Sequence, residues 1–237
     1  MRSPLKVAAA QPRCIARDVH ANAVEHAAAI RSARARLVVF PEMSLTGYEL
    51  DAESVSVRDP ALDPIVEACA ATRAVALLGA PVDGAAGERH IATLRVGDAG
   101  VDVVYRKSYV GGDEEPRFVP GDGACAVDVD GWRIGLGTCK DTGIEQHIAD
   151  TAALDVDAYV AGLVHRADEL DVQEQRGVRI ARACGAYVAF ASFAGTTGGG
   201  YERTAGVSTI WAPDGTRLAR AGPEPGGMAI SVLERLR

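Results

Sequence analysis

Three short apolar runs in this chain stop abruptly at residues that carry chemistry, and this pattern constrains the fold more than any other. Leu37-Val38-Val39-Phe40 ends in Pro41-Glu42, Asp102-Val103-Val104-Tyr105 in Arg106-Lys107, and Ile134-Gly135-Leu136-Gly137-Thr138 in Cys139-Lys140-Asp141. Such runs read as buried strands. Open α/β sheets hold their ligands at the carboxyl ends of strands. An acid, an ammonium and a thiol at three such ends are the parts for nucleophilic acyl chemistry.

The rest of the sequence supplies the scaffold. Strands are expected at Leu5–Ala10, Leu37–Phe40, Ala74–Gly79, Ala158–Ala161, Tyr187–Ser192 and Met228–Leu233. Hairpins are expected for Ile91–Val96 with Val101–Tyr105 across Gly97-Asp98-Ala99-Gly100, and for Ala124–Val129 with Trp132–Thr138 across Asp130-Gly131. Gly206–Trp211 and Thr216–Arg220 read as a third, across Pro213-Asp214-Gly215. Helices are expected from Asp18 to about Arg36, from Asp59-Pro60 to about Thr72, from Glu145 to about Leu154 and over Val172–Cys184. Hairpins among alternating strands and helices predict a mixed sheet system covered by helices. No linker or repeat divides the chain, so residues 1–237 read as one domain.

With 48% hydrophobic and 24% charged residues the balance is globular, and a net charge of −7 argues against nucleic-acid or anionic-membrane surfaces as partners. The five cysteines are dispersed without a C-x-x-C pair and read as reduced thiols, which with no signal-like or membrane-spanning run predicts a cytoplasmic location. No His spacing suits a metal, and Gly198-Gly199-Gly200 lacks the Lys-Ser/Thr of a phosphate loop, so no metal or cofactor is expected.

Taken singly, Cys139 fills space as most cysteines do, as Cys14, Cys69, Cys125 and Cys184 are expected to. Glu42 alone would be a loop carboxylate and Lys107 alone a solvated cation. Jointly they make a set. The thiol needs a base, which Glu42 in a desolvated pocket or His147 on the following helix could supply. Lys107 and the Lys140 backbone N–H could hold an oxyanion.

Four segments, in order, resemble blocks of the nitrilase superfamily, the carbon–nitrogen hydrolases. Val38-Val39-Phe40-Pro41-Glu42-Met43-Ser44-Leu45-Thr46-Gly47-Tyr48 is similar to the block bearing the general-base Glu, and Tyr105-Arg106-Lys107-Ser108-Tyr109 to that bearing the catalytic Lys. Glu114-Glu115-Pro116-Arg117-Phe118 resembles the segment with a second active-site Glu four residues before a Phe, which selects Glu114. Gly137-Thr138-Cys139-Lys140-Asp141 resembles the nucleophile elbow. The resemblance implies a four-layer α-β-β-α sandwich and pairing through the helices near Cys139 and residues 165–184, giving a homodimer or higher homo-oligomer.

The departures bear on substrate. Gly143 stands where many relatives carry Arg, which argues against a carbamoyl amino acid, and Lys140-Asp141 replaces the Trp-Glu typical of nitrilases. Cys184-Gly185 replaces a Glu-Asn common in that helix, and no long C-terminal arm is expected. The resemblance thus implies a thiol amidohydrolase cleaving a small linear amide through a Cys139 thioester, with release of ammonia or an amine. Glu42 is the expected base, Lys107 and the Lys140 N–H the oxyanion donors, and Glu114 the group that orients Lys107 and the amide. Tyr48 and His165 are candidate pocket-lining residues, although packing or structural hydrogen bonding would equally explain them. The alternatives are nitrile or N-carbamoyl hydrolysis by the same residues, or a catalytically silent metabolite-binding relative.

Overall fold

In the computed structural model, which describes residues 3–97 and 99–234, alternation of side chains along each strand decides the layers. Val7, Ala9, Leu37, Val39 and Leu77 point one way and pack with Ile134, Leu136, Val160, Ala189 and Ala191. Their neighbours Ala8, Ala10, Val38, Ala76, Leu78 and Ala80 point the other way, onto helices. Strands apolar on both faces are what a sheet buried on both sides requires.

The first sheet contains β1 (Leu5–Gln11), β2 (Leu37–Val39), β3 (Val75–Asp83), β4 (Arg89–Gly97), β5 (Gly100–Arg106) and, at the far edge, β12 (Gly227–Leu233). Its order is β12-β1-β2-β3-β4-β5. Strands β6 (Cys125–Val129), β7 (Trp132–Thr138), β8 (Ala158–Leu163), β9 (Tyr187–Ser192), β10 (Thr209–Trp211) and β11 (Arg217–Arg220) form the second, ordered β11-β10-β9-β8-β7-β6. In each, two parallel pairings lie at the centre and antiparallel pairings flank them.

Helices α1 (Val19–Ala33) and α2 (Asp63–Thr72) cover the first sheet with Ala23, Ala27, Ile30, Ile65 and Ala68. Helices α3 (Glu145–Ala153) and α4 (Leu170–Cys184) cover the second with Ile148, Ile180 and Ala181. The architecture is the expected α-β-β-α sandwich.

Boundary differences have local causes. Helix α1 ends at Ala33 because Arg34 turns left-handed (φ 46°) and the Arg36 N–H already bonds Lys6 O at 2.9 Å. Strand β3 runs past Gly79 to Asp83, held by β4 through Ala80↔Ala92 to Asp83↔Arg89. Helix α4 starts earlier than Val172, after a turn in which Glu169 accepts the Arg166 N–H at 2.7 Å. Strand β10 begins only at Thr209, since Val207 is left-handed (φ 56°) and the Ser208 N–H is taken by the Gln11 side chain at 2.8 Å. Asp98, in one expected turn, lies outside the described residues. No described helix is long and apolar enough to cross a membrane.

Candidate active site

Glu42 follows β2, and its backbone is clamped between the two sheets. A Cβ on Gly162 of β8 would lie 2.6 Å from the Glu42 nitrogen, and one on Gly79 of β3 would strike the Met43 nitrogen. Two glycines facing each other across the sandwich therefore make room for this peptide. Beyond it Met43 adopts φ 50°, and His26 of α1 fixes the loop by a 2.8 Å bond between its Nε2 and Ser44 Oγ. Burial holds the His26 ring neutral, its pKa lowered to about 4.

Lys107 directly follows β5, with its N–H bonded to Ile91 O (2.8 Å) and its carbonyl to the Gly121 N–H (2.8 Å). Its ammonium, 2% exposed, donates to Glu42 Oε1 at 2.7 Å and to Glu114 Oε1 at 2.6 Å. Glu114 sits in a short turn after β5. Its Oε2 accepts the Gly111 N–H (3.1 Å), and its Oε1 also accepts the Tyr48 hydroxyl at 2.5 Å. Tyr48 thus reaches Glu114, with its ring set edge-on to Tyr201 at 5.3 Å.

Two carboxylates around one ammonium, nearly without water, set the local electrostatics. Burial raises the Glu42 pKa well above the usual carboxylate range, against the pull of Lys107, and Cys139 and Glu114 push the same way. Burial alone would discharge Lys107, but Glu42, Cys139 and Glu114 outweigh it and keep the ammonium charged. Glu42 Oε2 has no hydrogen-bond partner among the described residues. One base lone pair is therefore unspent.

Cys139 comes from the second sheet, at the end of β7. Its φ of +35° is a left-handed conformation that a side chain makes costly. Asp141 supports it: Oδ2 accepts the Thr138 N–H at 2.9 Å and the Tyr105 hydroxyl at 2.7 Å, and Oδ1 accepts the Tyr109 N–H at 2.9 Å. One carboxylate thereby ties the elbow to the chain flanking Lys107. Lys140 adds another tie, its ammonium bonding Val110 O at 2.6 Å. The Lys140 N–H lies in the first turn of the short helix Cys139–Gly143, where helical donors lack an earlier carbonyl.

The Cys139 sulfur lies 3.3 Å from Val164 O. Burial raises its pKa, and Lys107 is the main opposing charge. Burial thus disfavours the charged form of both the Cys139 thiol and the Glu42 carboxyl.

The structure thus brings Glu42, Lys107 and Glu114 into one charged cluster, and packs Cys139 against the neighbouring apolar group of Met43, Phe118 and Val164. His147 goes elsewhere: it bonds the Tyr105 hydroxyl through Nε2 at 2.9 Å, and its Nδ1 faces Tyr159, behind the elbow. His165 has both ring nitrogens engaged, Nδ1 with Gln173 at 3.3 Å and Nε2 with Arg176 at 3.3 Å. Sequence reasoning passed over Asp141, Tyr105, Gln173 and Arg176. For Asp141 a signal existed, because Thr138-x-x-Asp141 has the spacing of a reciprocal cap.

Comparison with known proteins bears on the family and the fold. The sequence profile of the Carbon-nitrogen hydrolase family matches residues 6–235. A protein of Pseudomonas protegens described as a hydrolase in the pqqF 5′ region is 30% identical over 233 residues, covering 89% of this chain and 75% of its own. Among solved structures, Saccharomyces cerevisiae Nit3, a member of branch 10 of the nitrilase superfamily, superposes with TM-score 0.86 at 19% identity, covering 98% of this chain and 90% of its own. The NitN amidase of Nesterenkonia sp. AN1 gives TM-score 0.84 at 22% identity, over 97% and 93%. With the profile spanning nearly the whole chain, this protein belongs to the carbon–nitrogen hydrolase family, whose members hydrolyse C–N bonds other than peptide bonds.

Proposed function

We propose that the protein is a thiol amidohydrolase that opens a small linear amide through a thioester on Cys139. The observation that carries this reading is Lys107 held at 2.7 and 2.6 Å between Glu42 and Glu114, with Cys139 packed against the apolar cluster of Met43, Phe118 and Val164. Glu42 takes the thiol proton as the sulfur attacks the carbonyl carbon. Lys107 and the Lys140 N–H hold the developing oxyanion. Glu42 returns the proton to the leaving nitrogen, and ammonia or an amine departs. It then draws a proton from water, which adds to the thioester. Collapse frees the carboxylic acid, and the sulfur regains its proton. Glu114, locked by Tyr48 and the Gly111 N–H, keeps Lys107 in place. In the related Nesterenkonia amidase, a variant carries the acetamide moiety of fluoroacetamide on its active-site cysteine, which supports the same attacking atom here.

Ammonia or amine release is to be measured from short amides, nitriles and N-carbamoyl compounds, with wild type beside Cys139→Ala. Amide-selective release that vanishes in the variant is expected. Nitrile- or carbamoyl-selective release would replace the amide reading, and release that survives in Cys139→Ala would overturn the thiol mechanism. Since the base must be ionised and its pKa is raised, the acid limb of the rate profile should lie above pH 4.3, the ordinary Glu value of about that size.

A further inference from the structure

The loop that joins Lys107 to Glu114 is gripped by the two residues after Cys139. Asp141 Oδ1 accepts the Tyr109 N–H at 2.9 Å, and the Lys140 ammonium donates to Val110 O at 2.6 Å. Val110 O and the Gly111 N–H are the two ends of one peptide group, and that N–H donates to Glu114 Oε2 at 3.1 Å. Lys140 therefore reaches Glu114 through a single planar amide. Among the described residues Oε2 accepts no other donor, while Oε1 is shared by Lys107 and Tyr48. A cation that draws electron density toward an amide oxygen makes the N–H of that amide a stronger donor.

Gly111 makes this arrangement possible. Its backbone is extended, with φ −170° and ψ 165°, a conformation open to any residue, so the chain path itself does not call for glycine. The missing side chain instead spares space for Lys140. A Cβ at 111 would strike Lys140 Nζ and would lie 2.9 Å from Cε and 3.0 Å from Cδ. An exposed lysine ordinarily gains little from one hydrogen bond, because water competes and the long side chain must be ordered. Here the bare peptide at 111 seats the end of the stem and aims the ammonium at one carbonyl.

We propose that the Lys140 side chain is a positioning residue. Acting through the Val110–Gly111 peptide, its charge strengthens and aims the donor that fixes the Glu114 carboxylate beside Lys107. The proposal rests on the amidohydrolase reading for its effect on rate, but the relay can be tested without turnover. kcat and KM are to be measured for the best amide in wild type, Lys140→Met, Lys140→Arg, Gly111→Ala and the Lys140→Met/Gly111→Ala double variant. All of them keep the backbone N–H of residue 140. Lys140→Met keeps most of the stem and loses the donor, whereas Gly111→Ala keeps the donor and displaces it. Each of these two should lower kcat roughly three- to tenfold, the worth of one hydrogen bond, with KM nearly unchanged. The double variant should lose no more than either single one, because both changes break the same link. Lys140→Arg, which keeps a charged donor, should lose less than Lys140→Met, and urea titration checks that the variants are folded. An unchanged kcat in Lys140→Met, losses that multiply in the double variant, or a raised KM alone would overturn the proposal. In parallel, NMR follows hydrogen exchange of the Gly111 amide, which should be faster in Lys140→Met by a similar factor. If wild type hydrolyses no compound, faster exchange in Lys140→Met would uphold the relay and sink the amidohydrolase reading instead. Unchanged exchange would overturn the relay whatever the rates show.

Discussion

The two halves of the site are built on different physical terms. The half from the first sheet is a charge cluster: Glu42, Lys107 and Glu114 are 1%, 2% and 3% exposed, and each carboxylate depends on the ammonium between them. The half from the second sheet is a matter of backbone: Cys139 is held at φ +35° by the bonds to Asp141, and its sulfur has one backbone contact. The first half couples function to stability, because no member can leave without stranding a buried charge. In the second, the sulfur proposed to react makes a single backbone contact, while the residue two positions later carries the geometry.

Removing the central charge should break this contrast most strongly. Lys107→Ala leaves two buried carboxylates facing each other. It should abolish turnover and cost about 3–5 kcal/mol of stability, read by urea titration. Cys139→Ala should abolish turnover equally with less than about 1 kcal/mol lost. Equal destabilisation by both would erase the distinction between the halves.

Asp141→Asn tests the backbone half. An amide cannot accept from both N–H groups and the Tyr105 hydroxyl at once, so one buried donor goes unpaired at about 1–3 kcal/mol. The rate should fall in step, while Cys139 stays alkylatable. Unchanged melting and unchanged rate would show that Asp141 does not hold the elbow.

The Glu42 loop has its own pH signature through His26. The ring is neutral in the fold with a pKa of about 4, against 6.5 for an ordinary His. The unfolded chain binds the proton first, so stability is complete above pH 6.5 and falls between there and about pH 4, by about 3 kcal/mol at most. His26→Gln should flatten this part of the curve, and an equally steep slope in the variant would assign it to other groups. The smallest effect is expected from Tyr48→Phe, which removes one of the two donors to Glu114 Oε1. A several-fold drop in kcat with little change in KM would fit a positioning role for Tyr48, and a raised KM alone would make it a substrate contact.

How much was legible from the sequence follows the same division. Residues at strand ends were found because an apolar run that stops marks both the element and the place where its last side chain emerges. Thus Glu42, Lys107 and Cys139 could be named before any coordinates, and the family blocks added Glu114. What escaped were residues whose role depends on where a long side chain arrives. Arg176 sits on a helix among several charged residues, and no periodicity tells which guanidinium folds back over Gly143. His165 and Tyr48 were singled out as pocket residues, yet their polar atoms bond Arg176, Gln173 and Glu114. The layers were legible because Val7, Ala8, Ala9 and Ala10 are all apolar and so need cover on two faces. The late start of β10 was not, since it depends on the long-range bond between Ser208 and Gln11.

The most direct test of the shared chemistry is the covalent state of Cys139 during turnover. Acid quench of wild type consuming its best amide, followed by peptide mass spectrometry, should show the acyl mass on the Cys139 peptide and none on Cys14, Cys69, Cys125 or Cys184. Full turnover with no acyl mass on that peptide, or with activity retained in Cys139→Ala, would contradict the thioester route and the division of labour between the two sheets.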